Sequence, residues 1–127
     1  MVITRSPQAR QRRRAPRLSI RLAGRLVGRV ALPVTVVDLS VTGCLVQCGA
    51  LLDPGAILGL ALEIGGPAIE ARVKVAESYV DGSAPDGAPR YLAGVEFLGL
   101  MPHAADRLRR FLDEERRRRL GADAPAQ

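Results

Sequence analysis

The sequence predicts a mainly β fold, six antiparallel strands in a barrel or sandwich, with a basic arm before them and one helix after them. Three observations carry this. Short runs that alternate apolar and polar residues recur between turn signals from Leu18 to Phe97, no helical periodicity interrupts them, and a helical stripe emerges only beyond Pro102. Strands following one another without crossover helices exclude a parallel sheet and point to antiparallel pairing. With 127 residues the chain is a single domain, able to bury a modest core.

Residues 1–11 show no periodicity and little to bury, so they are expected to be disordered without a partner. The first strand follows the arm at 12–17: Leu18, Ile20 and Leu22 alternate with Ser19, Arg21 and Ala23, and Gly24 and Gly28 suggest a bend or bulge. Pro33 then precedes the β-branched run Val34–Val37, which is expected to end at Asp38. In the third strand Cys44, Val46 and Cys48 share one face, opposite Leu45 and Gln47.

Asp53-Pro54-Gly55 turns the chain into a fourth strand with Leu58, Leu60, Leu62 and Ile64 on one face, and Gly65-Gly66-Pro67 closes it. Ile69, Ala71, Val73 and Val75, alternating with Glu70, Arg72 and Lys74, form the clearest strand, and the slip near Ala76 predicts a bulge. Residues 81–90, with two glycines and two prolines, read as a long mobile hairpin loop before the last strand, Tyr91–Phe97. The barrel portion thus covers about 18–98. A helix follows from about His103 to Arg119, with Ala104, Leu108, Phe111 and Leu112 as its apolar stripe. Arg109 with Asp113 and Arg110 with Glu114 are expected as exposed pairs, Arg116–Arg119 fall in the last turn, and 121–127 reads as a flexible tail.

Composition narrows the function. Only Tyr79, Tyr91, Phe97 and Phe111 are aromatic, so the core must be aliphatic and there is no platform for stacking successive bases. The net charge of +6 is uneven: residues 1–21 hold seven arginines and no acid, whereas 22–100 hold five basic and eight acidic residues. A basic arm on a mildly acidic body suggests an anionic partner gripped by the arm and argues against a broad nucleic-acid face. No apolar run reaches the roughly 20 residues of a membrane span, and the N-terminus has no signal-peptide pattern, so a cytoplasmic location without membrane insertion is expected.

Cys44 and Cys48 in one strand would stand roughly 13 Å apart, too far for a disulfide, and read as small buried apolar residues. His103, the single histidine, lies at a helix start, and no catalytic triad, metal cluster or phosphate loop is present. The chain therefore reads as a binding module, not an enzyme, and without a cofactor.

One stretch interrupts the apolar pattern with polar residues at a built spacing: Asp38, Ser40 and Gly43, as Asp-x-Ser-x-x-Gly. About twenty residues earlier, Arg13 and Arg17 form Arg-x-x-x-Arg, flanked by Arg12 and Arg14. Arginine offers a planar fork to phosphates and to the acceptor edge of guanine, and aspartate accepts from the guanine donor edge. The two motifs in this order, with the late strand Leu92–Phe97 and a helix after it, resemble the PilZ family of cyclic di-GMP receptors over about 12–120.

That resemblance implies a six-stranded antiparallel β-barrel of the split-barrel type and a cyclic di-GMP ligand. It implies Arg13 and Arg17 as the main ligand arginines, Arg12 and Arg14 as helpers, and Asp38, Ser40 and Gly43 as the barrel side of the site. Ordering of the arm would be the signal, passed to a downstream protein partner. Val75-Ala76 stands where several members carry a large side chain near the bound base, which leaves ligand stoichiometry open. The alternatives are a PilZ-like adaptor without ligand binding and a small basic nucleic-acid-binding barrel.

Overall fold

The computed structural model describes residues 16–123. Six strands, β1 (Leu18–Val27), β2 (Ala31–Leu39), β3 (Gly43–Cys48), β4 (Ile57–Leu62), β5 (Ile69–Ser83) and β6 (Pro89–Phe97), precede one helix, α1 (Pro102–Asp123). All neighbours are antiparallel in the order β1-β2-β3-β6-β5-β4, and β4 pairs back onto β1 to close a barrel. Of the two architectures open to six such strands, closure selects the barrel and leaves no free sheet edge along the paired stretches.

The inward residues are those the alternation marks. Val34, Val36, Val46, Leu60, Leu62, Val73, Val75 and Val95 are buried, as are Cys44 and Cys48, both free thiols. Tyr91 and Phe97 are half-buried against this aliphatic core. Leu108 and Leu112 of α1 join the same cluster, with Ala104 and Phe111 beside them. The helix spans one barrel end. Arg107 donates to the Gly65 carbonyl after β4, and Arg116 donates to the Pro16 carbonyl before β1. Among the described residues no helix is long and apolar enough to cross a membrane.

Several boundaries differ from the sequence reading. The bulge at Ala76 is present, with the β5–β6 register shifting between Val75 and Glu77. Gly24, however, is not a bend: it pairs with Val34 and Leu62, and a Cβ there would lie 3.0 Å from the Ala61 carbonyl, so its smallness lets β4 pass. Gly28 does lie in a bend, at residues 28–30 where β1 ends, and the break within β1 falls between Ser19 and Leu22. The hairpin loop is shorter than 81–90: β5 runs on to Ser83 and β6 opens at Pro89, leaving 84–88 as the connection, with Gly82 at φ 74° within a second irregularity of β5 and Gly87 at φ 88° in the tight turn.

The helix also runs past Arg119 and Gly121 to Asp123, so Arg116–Arg119 lie before its last turn. Its ion pairs are Asp106–Arg109, Asp113–Arg116 and Glu115–Arg118, one turn apart, in place of the expected four-residue pairs.

Candidate functional site

The site is built where β2 leaves the barrel. Along β2, Val34 and Val36 point inward, and strict alternation would turn Asp38 inward as well. Instead, the β2–β3 register slips between Val36 and Asp38, so Val37 is an extra residue and Leu39 becomes the next buried position. The neighbouring register with β1 slips at the same level, between Ser19 and Leu22. Two adjacent irregularities therefore swing Asp38 to the outside of the barrel, which is the usual structural use of a bulge.

There Asp38 meets the arm. The Arg17 guanidinium lies 2.5 Å from the Asp38 carboxylate, with the Asp38 side chain 14% exposed and that of Arg17 40% exposed. The last arginine of one motif and the first residue of the other thus touch. Pro16, the residue before Arg17, accepts a hydrogen bond from Arg116 at 3.3 Å, so β2 and α1 both hold the root of the arm. Arg12, Arg13 and Arg14, like the 1–11 tail and 124–127, lie outside the described residues.

Ser40 and Gly43 stand close to Asp38 in the chain, but their surroundings are structural. Ser40 is buried; its hydroxyl accepts from the Thr42 amide at 3.1 Å and lies within hydrogen-bond reach of the Gly43 carbonyl and the Thr42 hydroxyl. The Ser40 amide also donates to the Gly43 carbonyl at 2.9 Å, which closes the turn. Gly43 has no positive φ, so backbone freedom is not why glycine stands there. A Cβ at Gly43 would collide with the Val95 carbonyl and come within 3.0 Å of the Glu96 Cα on β6. Glycine is needed because two strands pass closely.

Cys44, which pairs with Leu39, is fully buried beside this turn. Burial first, and the Asp38 charge second, push its thiol up to about 12. It is therefore an inert thiol at neutral pH. Among the described residues no group of His, Cys, Asp and Glu could hold a metal ion. Three contributors were not legible as such: Val37, which re-aims Asp38; Thr42, which completes the turn; and Arg116, which reaches the arm from a distant part of the chain. Only Thr42, a hydroxyl residue inside the Asp-x-Ser-x-x-Gly spacing, carried a local signal.

The PilZ domain profile matches residues 11–114, most of the chain and both motifs. This chain belongs to the PilZ domain family. Its PilZ barrel superposes on the PilZ domain of YcgR from Escherichia coli, solved with c-di-GMP, with a TM-score of 0.71 at 18% identity, covering 91% of this chain and 100% of that one. MotI from Bacillus subtilis, an inhibitor of motility, aligns with a TM-score of 0.66 at 20% identity over 87% of this chain and 52% of its own. MrkH of K. pneumonia, solved as a c-di-GMP complex, aligns with a TM-score of 0.64 at 20% identity over 93% of this chain and 57% of its own. This PilZ chain therefore spans about half the length of those two proteins. No curated protein matches it in sequence.

Proposed function

We propose that this chain is a receptor for cyclic di-GMP, gripped between the arginine arm and the turn from Asp38 to Gly43. The observation that carries the reading is the ion pair of Arg17 with Asp38, which puts the root of the arm against the outward carboxylate. Membership of the PilZ family, and the c-di-GMP bound to the YcgR domain and to MrkH, supply the ligand class by analogy.

The chemistry follows from the groups available. A cyclic dinucleotide carries two phosphates and two guanines. Arg12, Arg13, Arg14 and Arg17 provide bidentate forks for phosphate oxygens and for guanine O6 and N7. Asp38, which when ionised offers acceptors and no donor, meets the N1 and N2 donors. Ser40 and Gly43 act one step back, keeping the turn and β3 in place so that Asp38 stays outside the barrel. In the free protein Arg17 and Asp38 satisfy each other, so ligand binding exchanges that pair for contacts of the same kind and draws the rest of the arm over the ligand. Arm ordering is then the signal passed to a protein partner.

Isothermal titration with cyclic di-GMP, with GTP and a short DNA duplex as controls, tests the reading on the native chain, Arg13→Ala and Asp38→Ala. Saturable binding of the cyclic dinucleotide alone, weakened by both substitutions, is the expected result. Binding that survives both substitutions would move the site elsewhere, and no binding would discard the receptor reading.

A further inference from the structure

The flank of α1 away from Pro16 borders an open cleft of about 580 Å³ against the turn that follows β4. Ile64, Ala68 and Phe111 supply apolar lining, and His103, Arg107 and Arg110 line it from the helix. One wall is held in place: Arg107 donates to the Gly65 carbonyl at 3.1 Å, and Gly65 and Gly66 take the positive φ values, 93° and 70°, that make the turn tight.

The charge on α1 is distributed unevenly around its axis. Asp106, Arg109, Asp113 and Arg116 pair among themselves on the flank nearer Pro16, and Glu115 neutralises Arg118. Arg110 and Arg117 have no ion pair among the described residues, and both are exposed. His103, Arg110 and Arg117 recur at seven-residue spacing, close to two helical turns, so they form one line along the cleft side. Arg110 and Arg117 outnumber Glu114, the carboxylate that lies between them on the cleft side, and this excess of positive charge beside apolar lining fits a partner with opposite charge and a side chain to bury.

We propose that this cleft docks an acidic segment of a partner protein, with an aliphatic or aromatic anchor against Ile64, Ala68 and Phe111 and carboxylates along Arg110 and Arg117. Glu114 also lines the cleft, and a carboxylate there opposes a polyphosphate backbone, while a peptide can meet it with an amide. The inference rests on the helix flank alone and does not require a ligand in the arm.

Panning phage-displayed random peptides on the full chain, then measuring fluorescence anisotropy of the enriched peptides, tests it. Expected are peptides rich in Asp and Glu around an apolar anchor. Their affinity should fall roughly tenfold or more when Arg110→Glu and Arg117→Glu together make the charges alike. Ala68→Gln, a neutral polar side chain that fills an exposed part of the lining, should weaken them independently of charge, with the unfolding midpoint and the cyclic di-GMP titration both kept at native values. No enrichment, enrichment without acidic bias, or equal binding by the variants would overturn the proposal. So would a DNA duplex that binds this flank and is released by the same double substitution. A failed cyclic di-GMP titration leaves this proposal standing, and failed panning leaves the receptor reading standing.

Discussion

Arg17 and Asp38, 2.5 Å apart, join the arm to the barrel across a gap of twenty-one sequence positions. The pair is partly exposed, so its contribution to stability should be small, about 0–1 kcal/mol. Its contribution to ligand binding should be larger, because a charge-assisted hydrogen bond is worth about 1.5–3 kcal/mol, or roughly tenfold to a hundredfold in affinity. Arg17→Ala and Asp38→Ala should therefore each weaken cyclic di-GMP binding by that amount in calorimetry while barely moving the urea midpoint. A large shift in midpoint with unchanged binding would make the pair a structural clamp and nothing more.

Ser40 and Gly43 should behave in the opposite way. Alanine at Gly43 drives a methyl group into the β6 backbone, and overpacking of this kind costs about 1–3 kcal/mol. Alanine at Ser40 strips the hydroxyl partner from the Thr42 amide, for about 1–2 kcal/mol. Chemical denaturation followed by circular dichroism reads both. A Gly43→Ala chain as stable as the native one would show that β6 yields freely and that the close approach is not what selects glycine.

These two residues also mark how far the sequence could be read. Period-two alternation made Ile69, Val73 and Val75 recognisable as core, and its slip exposed the bulge at Ala76. The equivalent slip at Val37 was silent, because Val36 and Val37 are both apolar and an extra valine leaves no break in polarity. Ser40 and Gly43 stood out as site residues by their spacing, yet their immediate partners are the Thr42 amide and the passage of β6. Spacing records that a residue type is required without saying which neighbour requires it. Closure of β4 onto β1 and the reach of Arg116 to Pro16 depend on contacts distant in sequence, for which the chain offers no local signal.

Cys44 gives a pH-dependent prediction. Its thiol is raised from 9.0 to about 12 by burial and by Asp38. Below pH 9 both folded and unfolded chains hold the proton, and the thiol's contribution to stability is complete. Above that, the unfolded thiol ionises first, so the contribution is lost progressively as pH rises towards the folded value. Unfolding free energy should therefore fall between about pH 9 and 11, with a shallower slope in Cys44→Ala. Below pH 9, a disulfide exchange reagent should leave Cys44 unmodified until the protein unfolds. Rapid labelling of Cys44 in the folded chain, or an unchanged slope in the variant, would contradict its burial.

The helix should be needed for stability at its centre and for ligand affinity near its end. Leu108 is fully buried, and Leu108→Ala should cost about 2–5 kcal/mol in denaturation. Arg116 is different: it donates to the Pro16 carbonyl and pairs with Asp113 at 3.6 Å, both at the surface. Arg116→Ala should leave stability within about 1 kcal/mol of native. It should still weaken cyclic di-GMP binding by about fivefold, because the root of the arm loses a hydrogen bond worth about 1 kcal/mol. Asp113→Ala removes the ion pair but leaves the donor to Pro16, so it serves as the control and should bind normally. If both variants bind like the native chain, the helix does not position the arm; if both lose affinity equally, the charge pair matters and the contact with Pro16 does not.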